Sequence, residues 1–415
     1  MLFLTLVSLL AFYLAWNLGA NDVANAMGTS VGSKAVTLQQ ALLIAGVLEF
    51  TGAVLFGRQV SETLATKVVN PAIFTPEVFV IGMVSVLLSC SLWLQLATWR
   101  GWPVASSHAV VGAIAGFSWV AMGVQAVDWR SLGVISLTWI LTPLASGTVA
   151  ALLYSLIKRW ILEQPQAIQQ LDEWIPWLSA SLFSVFGVIV LPTLSRPVQA
   201  FFHEQFGLAL PEHDLPLAAG VIAAVSLTFS SWRQLQRSPA GQTDRQQIER
   251  QLGKFQVLSA CFVAFAHGSN DVGNAVAPLA AITYIHNTGF VPRLGFEVPL
   301  WVLVVGGAGI VGGLAVWGKR VIMTVGEGII PLQPSSGFCA ELAAATIILL
   351  ASRLGLPVST THALVGGVVG IGLVQGAKSI RLNVVRDISL GWLITIPIAV
   401  GLGAGFFAIA RLLRF

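Results

Sequence analysis

Apolar runs long enough to cross a bilayer recur from one end of this chain to the other, among them Phe79 to Thr98, Leu132 to Ile157, Trp301 to Trp317 and Ile388 to Ala410. A helix needs about 20 apolar residues to span hydrocarbon. A backbone facing lipid must satisfy its own N–H and C=O groups, which only helices and closed barrels do. The strand alternation and aromatic girdles of an outer-membrane barrel are not visible. With 56% hydrophobic residues, 10% charged residues and a mean hydropathy of +0.82, the chain reads as an all-α polytopic membrane protein. The net charge of +4 is scattered through short loops rather than gathered into a stripe, so it sets topology and implies no nucleic acid partner. Cys90, Cys261 and Cys339 lie in apolar context without metal-ligand spacing and read as packing residues.

Periodicity and turn residues divide the chain into about twelve transmembrane segments, near 1–27, 38–57, 77–99, 103–123, 131–157, 174–194, 215–233, 255–285, 298–317, 335–354, 357–376 and 385–412. Met1 to Trp16 lacks the basic start of a signal peptide and is expected to remain as the first helix. The segments beginning at Pro103 and Pro357 follow their predecessors after only a few residues, so each is either a second span or the return arm of a re-entrant hairpin. With twelve crossings and the N-terminus outside, fourteen of the 22 Lys and Arg residues fall in the cytoplasm, as the positive-inside rule favours. Both termini are then extracytoplasmic. The one clearly polar stretch, rich in Arg, Gln and Ser, divides the chain into a first membrane half at 1–233, a solvated cytoplasmic linker at 234–254 and a second membrane half at 255–415.

Two motifs recur in the same order. Gly19-Ala20-Asn21-Asp22-Val23-Ala24-Asn25-Ala26 returns as Gly268-Ser269-Asn270-Asp271-Val272-Gly273-Asn274-Ala275, and Pro103-Val104-Ala105-Ser106-Ser107-His108-Ala109 returns as Pro357-Val358-Ser359-Thr360-Thr361-His362-Ala363. An odd number of segments before the linker makes the second copy enter the membrane from the opposite side. Secondary transporters use this plan, with substrate and coupling ions meeting near the midplane. The expected fold is therefore two inverted-topology repeats with broken helices or re-entrant hairpins at the midplane.

Intramembrane carboxylates are costly and usually functional. Gly19, Gly28 and Gly32, with Gly268 and Gly273, are expected to unwind the backbone around Asp22 and Asp271; the plainer reading is a helix kink with the Asp capping a broken end. Pro103 and Pro357 are expected to open half-helices whose first turns carry Ser106, Ser107, Ser359, Thr360 and Thr361, an anion site with free N–H groups at the positive dipole end. The plainer reading is hydroxyls bonding a carbonyl one turn back. Two aspartates beside an anion repel it, so hard cations must neutralise them, and the oxygens of Asn21, Asp22, Asn270 and Asp271 suit sodium. Anion and cation then favour one another's binding, which implies symport. A phosphate that keeps a proton can donate to an ionised Asp, whereas sulfate only accepts. Glu49 and Glu341 do not correspond under the repeat, so they serve coupling or gating, or act as interhelical glue; Gln95 is a candidate polar liner. His108 and His362 are read as packing residues. Gly307-Ala308-Gly309-Ile310-Val311-Gly312 matches a dinucleotide pattern but lies within an apolar span, where small-residue helix packing is the better account.

The paired G-[AS]-N-D-V-[AG]-N-A and P-V-x-[ST]-[ST]-H-A motifs, with Glu49 in Leu48-Glu49-Phe50-Thr51-Gly52 and Glu341 in Gly337-Phe338-Cys339-Ala340-Glu341-Leu342, resemble those of the PiT family of inorganic phosphate transporters, from about Leu14 to the final helix. The resemblance implies a twelve-segment inverted-repeat carrier moving phosphate with sodium or protons, often as a homodimer. Carried over motif by motif, Asp22, Asn25, Ser106, Ser107, Asp271, Asn274, Thr360 and Thr361 would surround phosphate and its cations, while Glu49 and Glu341 match carboxylates the family needs for transport. Ala105 departs from the pattern where many members carry Ser, retained here at Ser359, and some relatives carry sulfate. The expected function is a cation-coupled phosphate symporter of the plasma membrane, with a sulfate permease or an anion channel as alternatives. No chemical step is required, so no enzyme is expected.

Overall fold

Fourteen α-helices and no strand occur among the residues that the computed structural model describes, which are 2–102, 104–206, 211, 213–237, 243–325 and 329–413. In chain order they are α1 (Leu2–Gly32), α2 (Leu38–Phe56), α3 (Arg58–Thr66), α4 (Pro76–Arg100), α5 (Ser106–Met122), α6 (Trp129–Ile157) and α7 (Ala167–Ile189). They continue with α8 (Leu191–Phe206), α9 (Asp214–Gln236), α10 (Asp244–Thr288), α11 (Leu300–Val325), α12 (Pro334–Arg353), α13 (Thr360–Gln375) and α14 (Leu382–Leu412). Their starts follow local chemistry. Thr37 with Gln40 and Thr243 with Gln246 form capping boxes before α2 and α10, and the Asp128 carboxylate accepts from the Ser131 N–H at the head of α6.

Eight of these helices (α1, α2, α4, α6, α9, α11, α12 and α14) are long and apolar enough to cross a membrane, and the pair α7–α8, bent by 58°, makes a ninth if it is one span. Twelve spans are expected from the sequence, and the difference has physical causes. The 17 residues of α5 and 16 of α13 extend only roughly 25 Å at 1.5 Å per residue. The 45-residue α10 carries the polar motif in its middle, which lowers its hydropathy.

Both short helices pair with a long predecessor as hairpins. Val69 bridges Val127, and the Asn70 N–H donates to the Ala126 carbonyl at 3.1 Å, so the end of α5 returns to the loop before α4. The Arg381 N–H donates to the Ile329 carbonyl at 3.0 Å, which returns the end of α13 to the loop before α12. Neither short helix begins at a proline. The Pro103 expectation lies outside the described residues, while α5 starts at Ser106; Pro357 precedes α13 by three residues and its carbonyl accepts from Trp139 Nε1 at 3.3 Å.

The hairpins exchange partners around the motif helices. In the core α1 packs along α11, α10 along α2, and α1 and α10 against each other; α5 lies on α14 and α13 on α6. The α7–α9 helices form a flank joined to α10 through Phe186, which stacks on Phe262 at 4.5 Å. The outer faces expose Leu6, Leu9, Leu43, Leu144, Ile222 and Leu393, side chains suited to lipid. Where the chain is described, residues 244–254 of the expected linker are the first turns of α10, with Ile248, Gln251 and Leu252 buried on one helical face. Glu249 holds this end down by accepting from the Ser335 N–H and hydroxyl, each at 2.9 Å.

The motif helices are not broken. α1 and α10 run uninterrupted through Asp22 and Asp271, and within α10 Pro278 leaves the Asn274 backbone carbonyl without the donor four residues on. The glycines serve close approach instead: a Cβ on Gly19 would collide with the Ile310 carbonyl, and one on Gly268 with the Glu49 carbonyl. The glycines of the dinucleotide-like pattern likewise pack, Gly309 against Phe12 and Ala15 and Gly312 against Trp16. Gly19→Ala and Gly268→Ala are each expected to cost about 1–3 kcal/mol through overpacking, read as a lower midpoint in thermal unfolding of the detergent-purified protein. Gly405→Ala, with open space around it, should be neutral or slightly stabilising.

Candidate functional site

Asp22 and Asp271 project from the middle of the two crossed helices α1 and α10 into a buried polar centre. One carboxylate oxygen of each, together with a ring nitrogen of His267, lies within 4.8 Å of the others. Helical spacing places Asn21 and Asn25 beside Asp22: Asn21 Nδ2 donates to Asp22 Oδ1 at 3.4 Å, and Asn25 Nδ2 to the same oxygen at 3.3 Å. Asn274 Nδ2 donates to Asp271 Oδ1 at 3.3 Å in the same way. Each Asn in the third position after its Asp thus turns its amide hydrogens to the carboxylate and leaves its carbonyl oxygen for another partner.

The hairpin ends close the centre crosswise. Asn25 of α1 donates to the Thr361 hydroxyl of α13 at 2.7 Å, Thr360 of α13 donates to Asp271 Oδ2 of α10 at 2.8 Å, and Asn274 of α10 donates to the Ser106 hydroxyl of α5 at 3.4 Å. The first turns of α5 and α13 therefore aim their positive dipole ends at the carboxylates. Asn270 acts differently from Asn21. Its amide donates to the Leu356 carbonyl at 3.2 Å and to Ser352 Oγ at 3.0 Å, while its Oδ1 accepts from the Val358 N–H at 3.3 Å, so it fastens the second hairpin turn. Ser359 spends its hydroxyl as the N-cap of α13, accepting from the His362 N–H at 3.3 Å. Ala105 occupies the equivalent cap of α5 and makes no side-chain bond.

One oxygen of Asp22, the Ser107 hydroxyl and the Asn274 carbonyl oxygen are buried without a hydrogen-bond partner. Two of the three are acceptors, which call for a cation or a donor, and the hydroxyl can donate to an oxyanion. Like charges at this separation repel by roughly 3–4 kcal/mol at an effective dielectric of about 20, a cost that a positive charge between them would offset.

His267 links Glu49 to this centre. Its Nδ1 is 3.2 Å from Glu49 Oε2 and its Nε2 is 2.9 Å from Asp271 Oδ2, all buried. The i, i+4 spacing of His267 and Asp271 was the available signal. The arrangement exists once: at the matching α1–α11 crossing, Gly19 meets Ile310 and is preceded by Leu18, where Gly268 meets Glu49 and is preceded by His267. Glu341 of α12 lies elsewhere, one turn of α1 beyond Asn25. The hydroxyls of Thr29 and Ser30 and the Gln256 amide donate to its Oε1, and Ser259 to its Oε2. Four donors from α1 and α10 were not foreseen, because nothing in the sequence pairs them with this residue. Gln95 lines the cavity described next and accepts from the Tyr13 hydroxyl at 2.8 Å. His108 and His362 pack as expected: each Nδ1 meets a carbonyl, of Trp392 at 3.3 Å and of Trp139 at 2.9 Å, and each ring lies on the other tryptophan.

A cavity of about 870 Å³ reaches Asn21, Asp22, Asn25 and Thr361 from one side of the molecule, between the end of α4 and the first half of α14. An all-helical membrane protein with a buried, charge-bearing centre open to one side belongs to the transporters. The Phosphate transporter family profile matches residues 18–403. The chain is 40% identical to the inorganic phosphate transporter 2-1, chloroplastic, of Arabidopsis thaliana over 94% of its own length and 69% of that protein. It is 38% identical to a putative phosphate permease of Chlamydia trachomatis over 97% of each chain. A solved structure described as the sodium-dependent phosphate transporter superposes with a TM-score of 0.89 at 34% identity, covering 99% of this chain and 100% of that one. The chain belongs to the phosphate transporter family, whose members are transporters and not enzymes.

The uncapped start of α5 yields a test. Ala105→Ser is expected to stabilise the protein by about 1 kcal/mol and Ser359→Ala to destabilise it by a similar amount, measured as opposite shifts in the thermal unfolding midpoint.

Proposed function

We propose that this protein moves inorganic phosphate across the plasma membrane by sodium-coupled symport with alternating access, through two inverted-topology repeats whose hairpins enter from opposite sides. The observation that carries this reading is the placement of the Asp22 and Asp271 carboxylates within 4.8 Å beneath the N-termini of α5 and α13. Hydroxyls and helix ends suit a tetrahedral oxyanion. The unpaired acceptors of Asp22 and Asn274 suit a hard cation, and neutralising the aspartates is what lets an anion sit beside them. The resemblance to a sodium-dependent transporter favours sodium over protons. A protonated phosphate oxygen can donate to an aspartate, which favours phosphate over sulfate.

Asp22, Asn25, Ser106, Ser107, Asp271, Asn274, Thr360 and Thr361 form the phosphate site in this reading, with Asp22 and Asp271 shared with sodium. Asn270 and Ser359 hold the hairpin turn in place, as their hydrogen bonds support. Glu49 acts on Asp271 through His267, and Glu341 ties α12 to α1 and α10, so movement of that hairpin must re-satisfy its carboxylate. The basic residues Lys34, Lys378, Arg381 and Arg386 mark the cytoplasmic side. The cavity reaches the surface near the last three, so this conformation is the inward-facing one.

Counterflow in proteoliposomes with imposed sodium and pH gradients, measured for phosphate and sulfate, tests the proposal. Phosphate accumulation driven by sodium is expected; sulfate accumulation without phosphate, or flux that never runs against a gradient, overturns it. Asp22→Asn and Asp271→Asn should each lower sodium-driven phosphate uptake by about 100-fold or more, given several kcal/mol of lost ion binding, while the purified proteins keep the wild-type elution profile.

A further inference from the structure

Between the central site and the aqueous phase, phosphate must pass a stretch of cavity walled by apolar side chains and by Trp93, Trp99 and Trp102. An anion in such surroundings loses hydration and gains little in return. Among the described residues, the lining contains one basic side chain, Arg100, at the last turn of α4, and one acidic side chain besides Asp22, namely Asp387 at the head of α14. Asp387 is already engaged by Arg386, with two nitrogens at 3.1 and 3.2 Å. Arg100 is exposed, and its guanidinium lies over the Trp102 ring at 5.4 Å. The Gly101 αL cap, with φ of +67°, ends α4 there and turns the chain so that Trp102 follows directly beneath Arg100 and leads on to Ser106.

We propose that Arg100, seated on Trp102, forms a second oxyanion subsite on the path between the central site and the open face of the cavity. The inference rests on the transport reading above. A ring beneath the guanidinium fixes its plane by cation–π attraction and leaves the N–H edge for a bidentate grip on phosphate. Its single charge offsets part of the desolvation cost midway, so the anion steps between two sites instead of crossing one apolar barrier. Such a subsite acts from the face to which the cavity opens, because Arg100 lines that cavity. It also distinguishes the two hairpins: the position matching Arg100 ahead of the second hairpin turn is Leu354, and Gly355 there has the same φ of +67° as Gly101.

The test compares right-side-out and inverted membrane vesicles containing wild type, Arg100→Gln or Arg100→Lys, with the KM and maximal rate for sodium-driven phosphate flux measured from each face. Arg100→Gln is expected to raise the KM at the cavity face by about tenfold, as for loss of one charge-assisted pair. The KM at the opposite face should be unchanged, and Arg100→Lys should recover part of the loss. Raised salt should weaken the wild-type cavity-face KM more than that of the Gln variant. Equal KM changes at both faces, or none at either, overturn the subsite while leaving the transport reading intact. Absence of phosphate flux in wild type overturns the transport reading instead, and the same comparison is then made with sulfate, where the same face-specific change supports the subsite and its absence overturns it.

Discussion

Two carboxylates held within 4.8 Å of each other inside a bilayer are the arrangement on which the rest of this structure depends. Alone they would repel by several kcal/mol and lose their hydration as well. The surrounding architecture answers that cost piece by piece. Asparagines one turn away donate to each carboxylate, Thr360 donates to Asp271, His267 approaches it from the other side, and two short helices aim their N-termini at the centre. What the centre leaves unpaired is mostly acceptor oxygen, on Asp22 and Asn274.

Keeping α1 and α10 unbroken has a mechanical consequence. The carboxylates ride on long helices held by glycine at close crossings, α1 against α11 and α10 against α2, so their positions are set by backbone packing. The hydroxyls of the hairpin ends meet them through side-chain bonds, Asn25 to Thr361, Thr360 to Asp271 and Asn274 to Ser106. Ridges on membrane helices cannot rely on the hydrophobic effect to hold them, because lipid is as apolar as the side chains; close backbone approach takes its place. The hairpins are held by polar side-chain bonds and crossed His–Trp stacking, contacts that can be exchanged.

The near-twofold likeness of the two halves makes their differences informative. Leu18 and Ile310 stand at one helix crossing and His267 and Glu49 at the other; Ala105 leaves one hairpin helix uncapped where Ser359 caps its counterpart; Asn21 leans on its own aspartate while Asn270 fastens a turn. Each of these puts the additional polar contact on the Asp271 side of the centre. Both halves line the cavity, and each leaves one acceptor oxygen at the centre without a partner, on Asp22 and on Asn274.

The helical membrane character, the duplicated motifs and most members of the centre were legible in the amino-acid sequence, because hydropathy and motif spacing are local properties that survive folding unchanged. Asp22, Asn25, Asp271, Asn274, Ser106 and Thr361 could be named before their distances were known. Residues remote in sequence behaved otherwise. That Glu49 meets Asp271 through His267, that Glu341 gathers hydroxyls from two other helices, and that Gly19 and Gly268 serve close crossing and not helix breaks all depend on which helices become neighbours. A 16- or 17-residue apolar helix has the composition of a crossing, so the sequence alone left open whether α5 and α13 span or re-enter, and their pairing with a longer neighbour is a matter of packing. Composition decides the solvent in which a segment is stable, but only packing decides how far it travels through that solvent and which groups it meets at the end.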